Sequence, residues 1–453
     1  MEINAGAKSV YSKQLKKILE EKKIAEGDRV AVFSRGEKLE GILMPQIEGG
    51  DAEAVVIKLD NGYNIGVKPE RIDSLSQKQK IVLEKTVKRG LSKKSGLPKI
   101  SLIATGGTIA SRVDYKLGGV KAVLTPEEIF YNSPEISEIA SFEKISSPFT
   151  VWSENMTPRE WQKIAGETAR QLNSGSNGVI VTHGTDTLHF TSAALSFMLR
   201  GLNKPVALVG AQRSPDRGSF DGSMNLACAC HYVAKSGMAE VAIVMHATSS
   251  DDYCIAIRGT KARKMHSSRR DAFRPINDTP LAKIWPSGKI EELQEAKKTG
   301  EGGKVVADTK FEEKVALIKA YPGSPPELID FLVEKKYRGI VVEATALGQV
   351  PTYTLDKKFS WTPAIKNALE SGVVVAFATQ CIYGSTSPFV YEPARLMHNM
   401  GVVHCEDTLP EVAYIKLGWV LAHSKNAVEA KKRMLENIAG EINPRLSYED
   451  YLV

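Results

Sequence analysis

The chain has 453 residues, 42% of them apolar and 25% charged, with a net charge of +7 and five cysteines. So much apolar content in so long a chain excludes a disordered or low-complexity polypeptide and suffices for two to four domains of about 100 to 200 residues each. No apolar run reaches the ~18 residues needed to cross a bilayer, and scattered cysteines without C-x-x-C pairs exclude a disulfide framework and a zinc site, so a soluble cytoplasmic protein with reduced, packed thiols is expected.

Residues 1–76 form the first expected unit. Tyr11 to Lys23 sets Leu15, Ile18 and Leu19 among charged residues, as a short surface helix does. From Gly27 to Ser74 the pattern changes to short strands around Val30–Phe33, Gly41–Met44 and Ala54–Leu59. Asp60-Asn61-Gly62 then precedes the alternating Tyr63, Ile65 and Val67. Asn-Gly between alternating apolar runs is a strong hairpin signal, so a small all-β barrel of SH3-like or Tudor-like type is predicted here. Residues 77–97 form a basic linker: Gln77 to Lys99 carries eight bases against one acid. Such a run is a solvated connector or a surface for an anionic partner such as RNA.

Beyond it, strands and helices alternate, the signature of a parallel sheet covered by helices on both faces. Residues 98–292 supply strands at Ile100–Ala104, Gly178–Thr182, Val206–Val209 and Val241–Val244, with helices at Pro158–Leu172 and Thr187–Leu199. Lys283 to Thr309 turns polar and reads as a connection, which gives a linker at 293–311. A second α/β unit at 312–440 has strands at Val315–Lys319, Gly339–Glu343 and Val373–Ala378, and 441–453 is a tail.

Two stretches carry chemistry. Ile100 to Ala104 runs into Thr105-Gly106-Gly107-Thr108, a strand ending in a turn whose glycines let a ligand approach two hydroxyls. Neither phosphate-loop spacing is present. Gly178 to Thr182 runs likewise into His183-Gly-Thr185-Asp186-Thr187, where Asp186 is either a helix cap or a functional carboxylate. A threonine hydroxyl attacks only when a base takes its proton, and an aspartate-oriented lysine can be that base. Lys261 and Lys264, in Arg258-Gly-Thr-Lys-Ala-Arg-Lys264, are the candidates.

Together, Thr105-Gly-Gly-Thr-Ile-Ala110 and Thr182-His-Gly-Thr-Asp-Thr187 resemble the two signature blocks of the bacterial-type L-asparaginase/glutaminase family. Ala211-Gln-Arg-Ser-Pro215 and Thr379-Gln380-Cys381 extend the likeness over roughly Pro98 to Ala439. The resemblance implies a two-domain asparaginase-like α/β fold with Thr108 as nucleophile and Thr185, Asp186 and Lys264 as a proton relay. Lys264 is preferred to Lys261 because it stands nine residues before Phe273, the family's usual distance to that aromatic. It also implies Tyr115 on a loop over the substrate and Ser153 holding the substrate's α-carboxylate. Beside Ser153, many asparaginases have glutamine where this chain has Glu154. The added β module and basic linker resemble the amide-hydrolysing component of archaeal two-component glutamyl-tRNA(Gln) amidotransferases. That likeness implies glutamine (or asparagine) hydrolysis coupled to a GatE-like partner subunit acting on Glu-tRNA(Gln). It also implies a homodimer within a heterotetramer, no membrane, no metal or cofactor in this chain, and ATP and Mg at the partner. A free-standing L-asparaginase with an accessory domain is the alternative.

Overall fold

The computed structural model describes residues 11–25, 27–44, 51–59, 64–76, 96–114, 119–122, 133, 135–214, 220–300 and 303–451. The basic run from Lys78 to Lys94, the Asn61-Gly62 turn, Tyr115 and Pro215 lie outside them. Near the N-terminus, strands β1 (Arg29–Ser34), β2 (Glu37–Leu43), β3 (Val55–Leu59), β4 (Asn64–Val67) and β5 (Arg71–Ser76) make one antiparallel sheet in the order β4-β3-β2-β1-β5. Val55 pairs with Val67 and Ile57 with Ile65, the register expected of a hairpin across 60–63. Helix α1 (Lys13–Glu21), capped by the Ser12 hydroxyl, turns Leu15 and Leu19 into a core with Val30, Val32, Ile57 and Ile72. This core is separate from that of the main body.

The body is built on an eight-stranded sheet of β6 (Lys99–Ala104), β7 (Ser141–Ser146), β8 (Gly178–Thr182), β9 (Val206–Val209), β10 (Val241–His246), β11 (Cys254–Arg258), and two short strands, Ala282–Ile284 and, at the edge, Ile290–Glu292. Strands β6 to β10 are parallel, with β8 between β6 and β9. Fully buried runs such as Gly178–Thr182 suit a sheet covered on both faces. Beyond β10 the pairing becomes antiparallel, so the sheet is mixed. The polar stretch 283–309, expected as a connection, is ordered by backbone pairing. It supplies the last two strands on that side of the sheet, and Val306–Ala307 pairs with Leu199–Arg200 while the Asn173 amide bonds both polar groups of Val305. These strands have only two or three residues each, too few to show a strand period, so hydropathy alone did not mark them.

The C-terminal lobe has four parallel strands, Val315–Lys319, Gly339–Ala344, Val374–Thr379 and Val403–His404. Helix Pro410–Ala422 packs on that sheet and on helix Leu188–Met198 of the first lobe, which explains why it is apolar nearly all round. Four cysteines are buried as expected, but Cys381 is exposed, because it stands past the end of a strand rather than within it. Among the described residues no helix is long and apolar enough to cross a membrane, and no group of His, Cys, Asp and Glu could hold a metal ion.

Lys416, wholly buried in helix Pro410–Ala422, meets the equally buried Glu441 at 2.6 Å and donates to the carbonyls of Met434 and Glu436. Truncating one partner of such a pair strands the other charge in a low-dielectric interior. Lys416→Met is therefore expected to lower unfolding stability by about 3–5 kcal/mol in urea titration. Adding Glu441→Gln should restore part of that loss; a double variant less stable than the single would contradict the pairing.

Candidate active site

Three chain segments converge at the carboxyl ends of β6 and β8, and glycine is what lets them meet. Thr105 continues β6, its backbone N–H and its hydroxyl both donating to the Thr182 carbonyl at 3.1 and 2.9 Å. Gly106 and Gly107 follow with φ of 106° and 82°, the left-handed region that favours glycine. A Cβ on Gly107 would lie 2.4 Å from the Cα and N of Gly184, and one on Gly106 would lie 2.6 Å from the Val151 carbonyl oxygen. A Cβ on Gly184 would in turn lie 2.8 Å from the Ser153 hydroxyl. The two sequence blocks thus touch backbone to backbone, with Ser153 closing the third side.

Thr108 begins a 3-10 turn, Thr108–Ala110, immediately beyond this contact and is partly exposed. Thr185 is buried, and Lys264 donates to its hydroxyl at 2.9 Å and to Asp186 Oδ1 at 2.7 Å. Asp186 is not a helix cap: Thr187 occupies that position, and its hydroxyl donates instead to the Ser153 carbonyl at 2.6 Å. The capping reading fails because the Lys264 ammonium is a stronger partner for a carboxylate than a helix N–H. Lys264 is brought here by a two-stranded hairpin, Ala262–Lys264 with Phe273–Pro275, in which Lys264 stands opposite the buried Phe273. The nine-residue spacing in the sequence is this cross-strand pair.

Lys261 is placed elsewhere. It is fully buried and pairs with Asp407 of the C-terminal lobe at 2.5 Å. Asp407 also accepts from the Asn443 N–H at 3.0 Å. Ser153 is buried at the start of the turn Ser153–Asn155, whereas Glu154 beside it is exposed. Tyr115 lies outside the described residues.

Two features were not singled out from the sequence. His183 is wholly buried. Burial pushes it down to about 4, so it is neutral, donating from Nδ1 to the Gly184 carbonyl at 2.6 Å and accepting at Nε2 from Thr191 at 2.8 Å. It fixes the peptide on which Gly107 rests. Asp221, its carboxyl pushed up by burial, accepts from the N–H groups of Gln212 and Arg213 and so shapes the 210–213 turn. A Cβ on Gly210 would lie 2.8 Å from the Thr185 methyl. His183 stood inside a recognised block and Asp221 six residues beyond another, but their roles need the fold. Asp186, Lys264 and His189 border a cavity of about 280 Å³ at the mouth of this arrangement.

Known proteins share this two-lobed architecture and its N-terminal module. Residues 99–298 match the asparaginase N-terminal family, 314–434 the glutaminase/asparaginase C-terminal domain, and 24–76 the GatD N-terminal domain. The chain is 50% identical over 446 residues to the GatD chain of the Pyrococcus furiosus glutamyl-tRNA(Gln) amidotransferase, covering 97% of this chain and 100% of that one. With the corresponding chain from Thermococcus kodakarensis it shares 49% over 433 residues, 94% of this chain and 96% of the relative. Among solved structures, the thermostable L-asparaginase of T. kodakarensis superposes with a TM-score of 0.66 at 27% identity, covering 77% of this chain and 100% of the enzyme. L-asparaginase I of Vibrio cholerae gives 0.66 at 27%, with 77% and 99% coverage. An asparaginase body with its own N-terminal strand module, matched end to end by these relatives, places this chain in the GatD family of glutamyl-tRNA(Gln) amidotransferases.

Proposed function

We propose that this chain is the amidohydrolase subunit of a tRNA-dependent amidotransferase, releasing ammonia from glutamine for a partner that converts Glu-tRNA(Gln) to Gln-tRNA(Gln). The observation that carries it is the Lys264 ammonium shared between Thr185 and Asp186, one backbone contact away from Thr108. In this reading the Thr108 hydroxyl attacks the side-chain carboxamide carbon, ammonia leaves after taking a proton, and water hydrolyses the threonyl ester to glutamate. Thr185, Lys264 and Asp186 carry the protons in and out. Backbone N–H groups of the Gly106-Gly107 turn and of Thr185 face the developing oxyanion, each contributing on the order of a few kcal/mol where water is excluded. Ser153 receives the α-carboxylate and Glu154 the ammonium group of the amino acid, while Tyr115 belongs to a covering loop.

The partner is GatE-like and holds the ATP and Mg that activate the tRNA-bound glutamate, and the assembly contains a homodimer of this chain. Near-complete coverage by GatD relatives at about half identity, against 77% coverage by asparaginases at 27%, favours this over a free-standing asparaginase.

Thr108→Val, which removes one hydroxyl at nearly constant volume, is expected to lower glutamine hydrolysis by roughly three orders of magnitude or more at an unchanged melting temperature. Activity within tenfold of the parent protein would remove Thr108 from the reaction.

The two lysines separate by phenotype. Lys264→Met should abolish hydrolysis in a folded protein, because its carboxylate partner Asp186 is exposed to water. Lys261→Met should unfold earlier, by about 3–5 kcal/mol, because it leaves Asp407 buried and unpaired. The reverse pattern would transfer the relay to Lys261.

The N-terminal module has its own core and supplies none of the proposed reacting groups. Deleting residues 1–76 should leave the melting transition of the body in place and weaken stimulation of glutamine hydrolysis by Glu-tRNA(Gln) in the complex reconstituted with its partner. Undiminished stimulation would show that the module does not serve docking.

A further inference from the structure

Two segments hold the ends of the Lys264–Thr185 hydrogen bond, and both are tied to one buried side chain that the proposed reaction does not use. The 210–213 turn backs Thr185, and the loop 265–272, which closes the Lys264 hairpin, borders the active-site cavity with Met265, His266 and Ser267. Arg213 joins the two directly, its guanidinium donating to the Ser268 carbonyl at 2.9 Å. A second connection runs through His246, which ends β10 and is wholly buried. Its Nδ1 lies 2.5 Å from Asn225 Oδ1, and its Nε2 lies 3.0 Å from Asp251 Oδ1. Asn225, on helix Gly222–Lys235, donates from its amide to the Gly210 carbonyl at 3.0 Å and to Asp221, the carboxylate that holds the 210–213 turn. Asp251 accepts at 2.7 Å from Arg270 of the hairpin loop, and the same guanidinium donates to the Ser249 carbonyl.

The partners of this ring fix where its hydrogens are. Asn225 has one workable orientation, because its Nδ2 serves two acceptors, Gly210 and Asp221, while its Oδ1 accepts from the His246 backbone N–H at 3.0 Å. Nδ1 must therefore donate to that oxygen. On the other side, Nε2 faces a carboxyl whose pKa is lowered, first by the hydrogen bond with His246 and then, against burial, by the Arg270 charge. An ionised carboxylate only accepts, so Nε2 donates as well, and an imidazole with hydrogen on both nitrogens is a cation. The titratable and charged groups facing this chain of bonds are Asp251, Asp221, Arg270 and the Cys254 thiol, which reaches Asn225 Oδ1 at 3.5 Å. A ring that lost one hydrogen would turn a lone pair toward either Asn225 or Asp251, and the connection would open on that side. Building on the amide hydrolysis proposed above, we propose that His246, as an imidazolium, is a positioning residue: it fastens the turn behind Thr185 to the loop beside Lys264 and so sets the distance between the two relay groups.

Nitrogen NMR of the full-length protein labelled in histidine reads the ring without reference to activity. At pH 7 the ring resonances that vanish in His246→Gln should show hydrogen on both nitrogens. Asp251→Asn, whose amide can donate to Nε2, should leave a single ring hydrogen at the same pH, and because Asp251 is 67% exposed its melting temperature should match that of the parent. Glutamine hydrolysis is then measured in the complex reconstituted with its partner. Asp251→Asn and Arg270→Met should each lower kcat about tenfold, the cost of a small misplacement of a reacting group, and leave KM within about twofold because Ser153 stands off this connection. The double variant should lose no more than either single, since both cut one connection. Asp252→Asn, which alters an exposed carboxylate bonded to the Ser250 hydroxyl, should match the parent in both measurements. A neutral His246 ring in a parent that hydrolyses glutamine would overturn this inference alone, as would unchanged kcat in both single variants or additive losses in the double. A parent that does not hydrolyse glutamine would overturn the proposed function, and the positioning role with it.

Discussion

Everything at the carboxyl edge of the large sheet depends on the approach of Gly107 to Gly184. Two parallel strands, β6 and β8, end side by side, and their turns meet with no side chain between them. A single methyl group on either glycine would collide with backbone or with Ser153, neither of which can swing aside as a flexible side chain could. Close packing is steep in distance, so an alanine at either place would move the Thr105–Thr108 turn away from Thr185 rather than be absorbed locally. His183 reinforces the contact from beneath by holding the Gly184 carbonyl.

The second constraint comes from the other lobe. The hairpin that presents Lys264 is flanked by Thr260, Lys261 and Asn277, and each is tied across the lobe boundary. Thr260 donates to the Ala439 carbonyl at 3.0 Å, Lys261 pairs with Asp407, and Asn277 exchanges hydrogen bonds with the backbone of Gly384 at 2.9 Å each way. Asn443 closes the set by donating to the Asn277 carbonyl. Among the described residues, the C-terminal lobe therefore positions the lysine without a hydrogen bond or ion pair of its own to it. That accounts for a buried ion pair so near the site: its worth lies in fixing one arrangement, since burial of two charges adds little net stability.

What the sequence disclosed, and what it withheld, follows from the range of the interactions. The parallel strands were legible because burial on both faces leaves an uninterrupted apolar run, as in Gly178–Thr182. The small β module was legible from alternation around Asn61-Gly62. The short strands at 282–284, 290–292 and 306–307 were not, because two or three residues among polar neighbours are too few to show a period. The Thr185, Asp186 and Lys264 grouping followed from resemblance, whereas the separate role of Lys261 rests on Asp407, 146 residues away. No local pattern announces such a partner. Asp186 illustrates the converse: its local context suggested a cap, and a lysine 78 residues away prevailed.

The buried histidines decide which groups remain for moving protons. His183 is held to about 4 by burial, and His189, beside the cavity mouth, to about 3 by burial and then by the nearby Arg263 and Lys264. Histidine is ordinarily the side chain that exchanges protons near neutrality. Here both rings stay neutral across that range, and His183 is further locked into one tautomer by its two hydrogen bonds. Glu411, within 3.9 Å of His189 and 3.5 Å of Arg263, has its carboxyl pushed up by burial and opens to no solvent. Neither His183 nor His189 is therefore free to exchange a proton near neutrality. Lys264, shared between the buried Thr185 hydroxyl and the exposed Asp186 carboxylate, joins the interior of the site to its solvent-facing mouth.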